Sequence, residues 1–444
     1  MDFIPSSRKK QKLYIQYENK PPVKSPTQTA PSLPEQKRVS SVEFWRFVFT
    51  VLVCLYHFEM FFSKRSVFPS GSSAVEFFFV LAGFTIAMSA RRSLAGRSDK
   101  EPVSMKEAAK KATGYVVSKL KAIYPVIIAV MIIYFFLLPG SINENTLNVI
   151  QNSEWEFTMM VGTPFGFNNG AAPLVPMWFL TALLVIGYLY TFALYKYNDF
   201  FMFAAPVIGI LFYSFFTLNS SLVLDFYIEM GFLTAGMVKA VAEISLGVTM
   251  FGLYEVLSKK KLNKFWQIFL SLLEVFAIYR FFALTINQPL GLDNFRRIVY
   301  IMLIVLLSFL NASFLSKRFN NKFSHAIGKV SLTMYLVHFF IAQIYFPLLS
   351  FFKKFLLSLV KDPTNPQDAA MAWSKVFGKT GGYDAYFQPI GMTVLDMLLF
   401  IILVIAASLV IKLCIALIAA LIRVIKKARD DRAASKNADY VIRF

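Results

Sequence analysis

The sequence predicts an all-α, polytopic transmembrane helix bundle of about ten helices with both termini cytoplasmic, and three observations carry that expectation. Of 444 residues, 57% are hydrophobic, 48 of them Phe, and 16% are charged, a balance that a water-soluble fold has no interior to hide. Several apolar runs reach the roughly 20 residues needed to cross a hydrocarbon core of about 30 Å, where a helix satisfies its own backbone. Lys and Arg cluster between alternate runs, the pattern that sets orientation.

Residues 1–41 are polar, proline-spotted and basic, from Arg8 to Arg38, and read as a disordered cytoplasmic tail; no apolar region follows a short basic start, so they are not a signal peptide. A membrane domain follows over 42–424, with helices near 43–63, 72–90, 116–138, 176–195, 200–218, 232–256, 265–285, 296–316, 326–352 and 391–424; residues 425–444 form a second basic tail. The loops after the second, sixth and eighth helices are basic (Arg91 to Lys111, Lys259 to Lys264, Lys317 to Lys322), as is the end from Arg423 to Arg429, and these face the cytoplasm. The loop 139–175 has Glu144, Glu154 and Glu156 and no Lys or Arg, and the loop around Asp225 and Glu229 is also acidic; these face outward. Lys64, Arg65, Lys353 and Lys354 depart from the pattern.

The net charge of +20 does not indicate nucleic acid, because the basic residues lie in short interhelical clusters. Cys54 and Cys414 each sit inside an apolar run, which supports neither a disulfide framework nor a metal site. No internal repeat and no Gly-rich phosphate loop is visible.

Ionisable side chains inside a bilayer need a partner or a task. In the first helix Arg46 and His57 are eleven residues, about three turns, apart and so share a face roughly 16 Å apart. His57 lies about 21 Å above the cytoplasmic start of its helix, and Glu76 about 6 Å below the outer start of the next. The two are thus expected at similar depth, where a carboxylate beside an imidazole makes a general base for a hydroxyl arriving from outside. The alternative is a purely structural pair.

Phe44-Trp45-Arg46 through Tyr56-His57, Val75-Glu76-Phe77-Phe78-Phe79-Val80-Leu81-Ala82-Gly83-Phe84, Trp178-Phe179-Leu180-Thr181 and Tyr335-Leu336-Val337-His338, in this order, resemble the acyltransferase-3 family over residues 43 to about 420. The resemblance implies an O-acyltransferase that moves an acyl group, commonly acetyl from acetyl-CoA on the cytoplasmic side, to a hydroxyl of an extracytoplasmic glycan. It aligns His57 with the family's proposed catalytic histidine, Arg46 with its helix-one arginine and Glu76 with its acidic residue. Ala82 stands where members usually have Ser. Before Tyr124-Pro125 members usually carry two arginines three residues apart; this chain has Lys119 and Ala122, with Lys121 nearby, which implies a looser or rearranged donor site.

Further candidates divide between substrate contact and structure. Lys119, Lys121 and the basic loop before them suit the phosphates of CoA, with Arg46 continuing the path inward; topology anchoring is the alternative for both lysines. Ser331, Tyr335 and His338 recur at i, i+4 and i+7 and either steady a thioester or its oxyanion or bond between helices. Lys239 and Glu243, at i and i+4, either form an ion pair or join the site. Trp178 is an aromatic-belt anchor or a sugar platform.

The expected mechanism is direct transfer, with His57 oriented by Glu76 taking the acceptor's proton as its oxygen attacks the thioester. No cofactor is bound, acyl-CoA being a substrate; membrane lipid and the carbohydrate acceptor are the other partners. The expected location is a bacterial plasma membrane, and acceptor specificity falls to loops 139–175 and 353–390. A secondary transporter and a non-catalytic glycan-export partner are the rival classes, though neither inverted repeats nor matching broken helices favour the first.

Overall fold

The computed structural model describes residues 39–62, 67–95, 102–137, 177–218, 229–230, 233–289, 294–358 and 394–441. Of the expected features, the tail over 1–38, Lys64, Arg65, loop 139–175, Asp225 and residues 359–390 lie outside the described residues.

The long helices are α1 (Ser40–Phe62), α2 (Ala74–Leu94), α3 (Met105–Leu137), α4 (Trp178–Lys196), α5 (Asn198–Leu218), α6 (Ala235–Leu257), α7 (Lys264–Asn287), α8 (Asn294–Leu310), α11 (Ser331–Ser358) and α12 (Val394–Val441). Two short helices, α9 (Phe314–Phe319) and α10 (Lys322–Gly328), precede α11, and a two-residue antiparallel pair, Glu229–Met230 with Leu233–Thr234, precedes α6. The chain is a polytopic helical bundle. Among the described residues eight helices are long and apolar enough to cross a membrane, or nine if α10 and the first part of α11, bent by 44°, count as one span. The remaining long helix, α8, has 17 residues, about 25 Å of rise and less than a full core thickness.

Polar residues ahead of the apolar runs set several starts. The Trp266 N–H donates to Asn263 Oδ1 at 3.1 Å and opens α7, and the Ser324 N–H donates to Asn321 Oδ1 at 2.9 Å and opens α10. Asn311, at φ 48°, turns the chain out of α8. Two boundaries differ from expectation by more than ten residues. Helix α3 starts eleven residues early, because Met105 to Ala112 is rich in Ala, Lys and Glu, good helix formers; the same composition carries α12 on to Val441 through what reads as a tail.

Helix α2 is the centre of the bundle, buried along nearly all its length, whereas α5, α7 and α12 present Phe203, Leu272 and Leu417 outward to lipid. Stacked pairs Phe49–Phe77 (4.2 Å between centroids), Phe84–Phe309 (4.0 Å) and Phe58–Phe400 (4.2 Å) tie α1, α2, α8 and α12 together. The tightest seam joins α2 to α6. A Cβ on Gly83 would collide with the Ile244 carbonyl and one on Gly247 with the Val80 carbonyl, so each helix uses a glycine where the other's backbone comes closest. Gly83→Ala is therefore expected to cost about 1–3 kcal/mol, read as a lower unfolding midpoint in detergent. Gly114→Ala, where the added carbon meets nothing within 4 Å, should not lower it.

Candidate active site

Two buried polar clusters and one cavity account for the candidate residues other than Arg46, Lys121 and Trp178. The first cluster is a histidine pair. His57 on α1 is partly exposed and His338 on α11 is fully buried. His338 Nε2 lies 3.1 Å from His57 Nδ1, and the ring centroids are 5.0 Å apart. Each ring also meets the carbonyl of a preceding residue of its own helix: His57 Nδ1 is 3.1 Å from the Val53 oxygen, and His338 Nδ1 is 2.6 Å from that of Tyr335. Tyr56, Tyr335 and Phe339 pack around the pair, and Phe179 packs on Tyr335. Ser331, two turns before His338, is buried with its hydroxyl outside hydrogen-bond reach of any described group.

The second cluster holds Glu76, and here the structure corrects the sequence expectation. Glu76 is not the partner of His57. Its carboxylate accepts from Lys239 Nζ at 2.6 Å and from the Tyr213 hydroxyl at 2.9 Å. The same lysine forms an ion pair with Glu243 at 3.1 Å, so the i, i+4 pair exists but is shared with Glu76. Tyr213 also lies 3.0 Å from the Asn294 carbonyl oxygen. Arg297 donates to Asn294 Oδ1 at 2.5 Å and to the carbonyls of Leu284, Gln288 and Pro289, closing the end of α7. Glu76, Lys239, Glu243, Tyr213 and Arg297 are all buried, and two carboxylates balance two cations. Depth counting took the outer ends of α1 and α2 to be level; instead Gly71 lies against Tyr56 and Phe77 stacks on Phe49, so Glu76 sits deeper than His57, on the side of α2 that looks toward α5 and α6.

The cavity lies toward the basic end, between α2, α3 and α4, with a volume of about 310 Å³; Ser89, Lys111, Tyr115, Ser118, Lys119 and Tyr195 are among its walls. Lys111 and Lys119 lie over the rings of Tyr195 and Tyr115, each 5.5 Å from the centroid. The Tyr115 hydroxyl is buried against Gly187 without a hydrogen-bond partner among the described groups. Lys119 thus reaches the cavity, whereas Lys121, two residues on and so turned to another side of α3, is exposed and is not among the cavity's walls.

Arg46 pairs with Glu43 at 2.9 Å near the basic end, nearly two turns into α1. Trp178 is buried against Phe79 and Phe179, so its ring is a packing element rather than an exposed belt anchor or an open sugar platform. Sequence reasoning missed Tyr213, Asn294, Arg297, Tyr115 and Tyr195, while Lys111 belongs to the basic loop that it assigned to phosphate. Arg297 was accessible to the argument that singled out Glu76, being an ionisable residue at the edge of an apolar run; the tyrosines carry no comparable signal.

Such a bundle keeps a titratable pair inside the apolar region and a cation-walled cavity nearer one face. The particular class is given by sequence comparison: the acyltransferase domain of the acyltransferase-3 family matches residues 39–417, and the chain belongs to that family, as a membrane acyltransferase. Searches of curated proteins and of solved structures return no match.

Proposed function

We propose that this protein moves an acyl group, acetyl in the first instance, from an acyl-CoA at the cytoplasmic face of a bacterial plasma membrane to a hydroxyl of an extracytoplasmic glycan, with His57 as general base. The observation that supports the reading best is the relative depth of His57 and the cavity. His57 follows Tyr56, which lies level with Gly71 at the head of α2, and Thr85 at the cavity edge is fourteen residues, about 21 Å, further down that helix. That leaves a gap in depth of about 20 Å, over which an extended thioester arm would carry the acyl group while its phosphates stay with the lysines.

The acceptor oxygen attacks the thioester carbon, its proton passes to His57, and the carbon–sulfur bond breaks toward the cytoplasmic side, where the thiolate regains a proton. Lys111 and Lys119 offer point charges to phosphate.

The test is ester-linked acetyl, released by mild base, on surface polysaccharide of a null strain with and without this protein, together with transfer of labelled acetyl from acetyl-CoA in membranes. Label that never leaves acetyl-CoA would sink the reading. In the same assay Lys119→Ala is expected to raise KM for acetyl-CoA about tenfold, the scale of a lost charge-assisted contact of about 1.4 kcal/mol, with kcat little changed. Lys121→Ala should leave KM where it is.

A further inference from the structure

We propose that His338 is a positioning residue that fixes which nitrogen of His57 carries the proton, the part the sequence assigns to Glu76. The inference deepens the reading of His57 as general base and rests on it for its kinetic consequence, though its geometric content stands alone.

The assignment follows from what each neighbour can do. A carbonyl oxygen only accepts, so the 2.6 Å contact to the Tyr335 oxygen requires a proton on His338 Nδ1. In a neutral imidazole the other nitrogen is then an acceptor, so His338 Nε2 presents a lone pair. That lone pair lies 3.1 Å from His57 Nδ1, and the Val53 oxygen, a second acceptor, lies 3.1 Å from the same atom. Both neighbours of His57 Nδ1 therefore demand a proton there, shared between them. His57 Nε2 is left with the lone pair, the one site on that ring able to take a proton from a hydroxyl.

On transfer the O–H bond of the acceptor breaks as His57 Nε2 gains the proton and the oxygen bonds to the acyl carbon. His57 becomes an imidazolium whose Nδ1–H stays directed at Val53 and His338, and Nε2 gives its proton up once the thiolate has left. In serine hydrolases a carboxylate holds the base in this way. A neutral imidazole does it here without placing a second full charge in the apolar region, where charge is costly. Its donor is anchored on its own helix, so α11 sets the direction of the lone pair offered to α1.

The experiment has two arms. The chain holds three histidines, His57, His325 and His338, so full-length protein labelled with ¹⁵N in its imidazoles and held in lipid nanodiscs gives a resolvable spectrum, assigned with His325→Asn and His338→Gln. Expected are protons on Nδ1 of both His57 and His338, and a scalar coupling between His57 Nδ1 and His338 Nε2. A proton on His57 Nε2 with Nδ1 bare overturns the proposal. In the kinetic arm, His338→Leu is expected to lower kcat about a hundredfold, within the range of general-base effects, with KM for acetyl-CoA within about twofold. His338→Gln, whose Oε1 offers an acceptor near the place of Nε2, should recover to within about tenfold of the parent. Loss in KM rather than kcat, or equal loss in both variants at equal folded amount, overturns it. The spectrum needs no turnover, so the expected tautomer in a protein that transfers no acyl group would remove the proposed function and leave the pairing intact.

Discussion

Replacing His57 with alanine is expected to lower acyl transfer by about 10²–10⁴-fold, the contribution of a positioned general base, while the protein accumulates in the membrane at close to parental level. His57 is only partly buried and its hydrogen-bond neighbours are a helix carbonyl, already engaged in α1, and the neutral His338, so the deletion strands no charge. The measurement is ester-linked acetyl on surface polysaccharide at matched abundance, followed by initial rates with labelled acetyl-CoA in isolated membranes. Retained transfer in His57→Ala would remove this residue from the chemistry. Glu76→Gln sharpens the contrast. A residue that orients His57 would lose kcat in folded protein; one that belongs to a structural cluster loses folded protein and keeps its rate per folded molecule. The bonds from Glu76 to Lys239 and Tyr213 lead to the second outcome.

The second large effect is one of stability. Lys239→Met leaves Glu76 and Glu243 facing each other in the apolar region with their shared cation gone, and is expected to cost about 3–5 kcal/mol, the penalty for breaking a buried pair. The readout is the unfolding midpoint in detergent and the monodisperse fraction after extraction. Adding Glu76→Gln and Glu243→Gln to Lys239→Met removes the stranded charges together and should restore most of the loss, since a neutral buried set often matches an ionic one. A triple variant no better than Lys239→Met alone would show that the cluster contributes through shape or through specific hydrogen bonds such as that of Tyr213.

The helices were legible because bilayer thickness, apolar run length and backbone self-satisfaction leave few alternatives. All ten expected runs are helical, with ends displaced mainly where charged but helix-favouring stretches such as 105–112 and 425–441 run on past the apolar run. The candidate site was legible in membership more than in pairing. His57 and His338 stand out as rare titratable groups in apolar runs, and counting residues gives their depth. It gives neither the height at which one helix starts relative to the next nor the rotation of a helix about its axis, and the two together decide that Glu76 meets Lys239 and His57 meets His338. The cavity is harder still, because Ser89, Tyr115 and Tyr195 are ordinary residues on three helices and become a site only through packing.

The seam between α2 and α6 also bears on how the chain reaches its final form. Glu76 and Lys239 are separated by 163 residues, so at about 5–20 residues per second the carboxylate is made some 8–30 s before the ammonium that neutralises it. For that interval α2 is a half-assembled helix, with a carboxylate lacking its counter-charge and a glycine face lacking the backbone it fits. A nascent chain stopped before α6 exposes both defects at once, and the arrival of α6 removes both in one step.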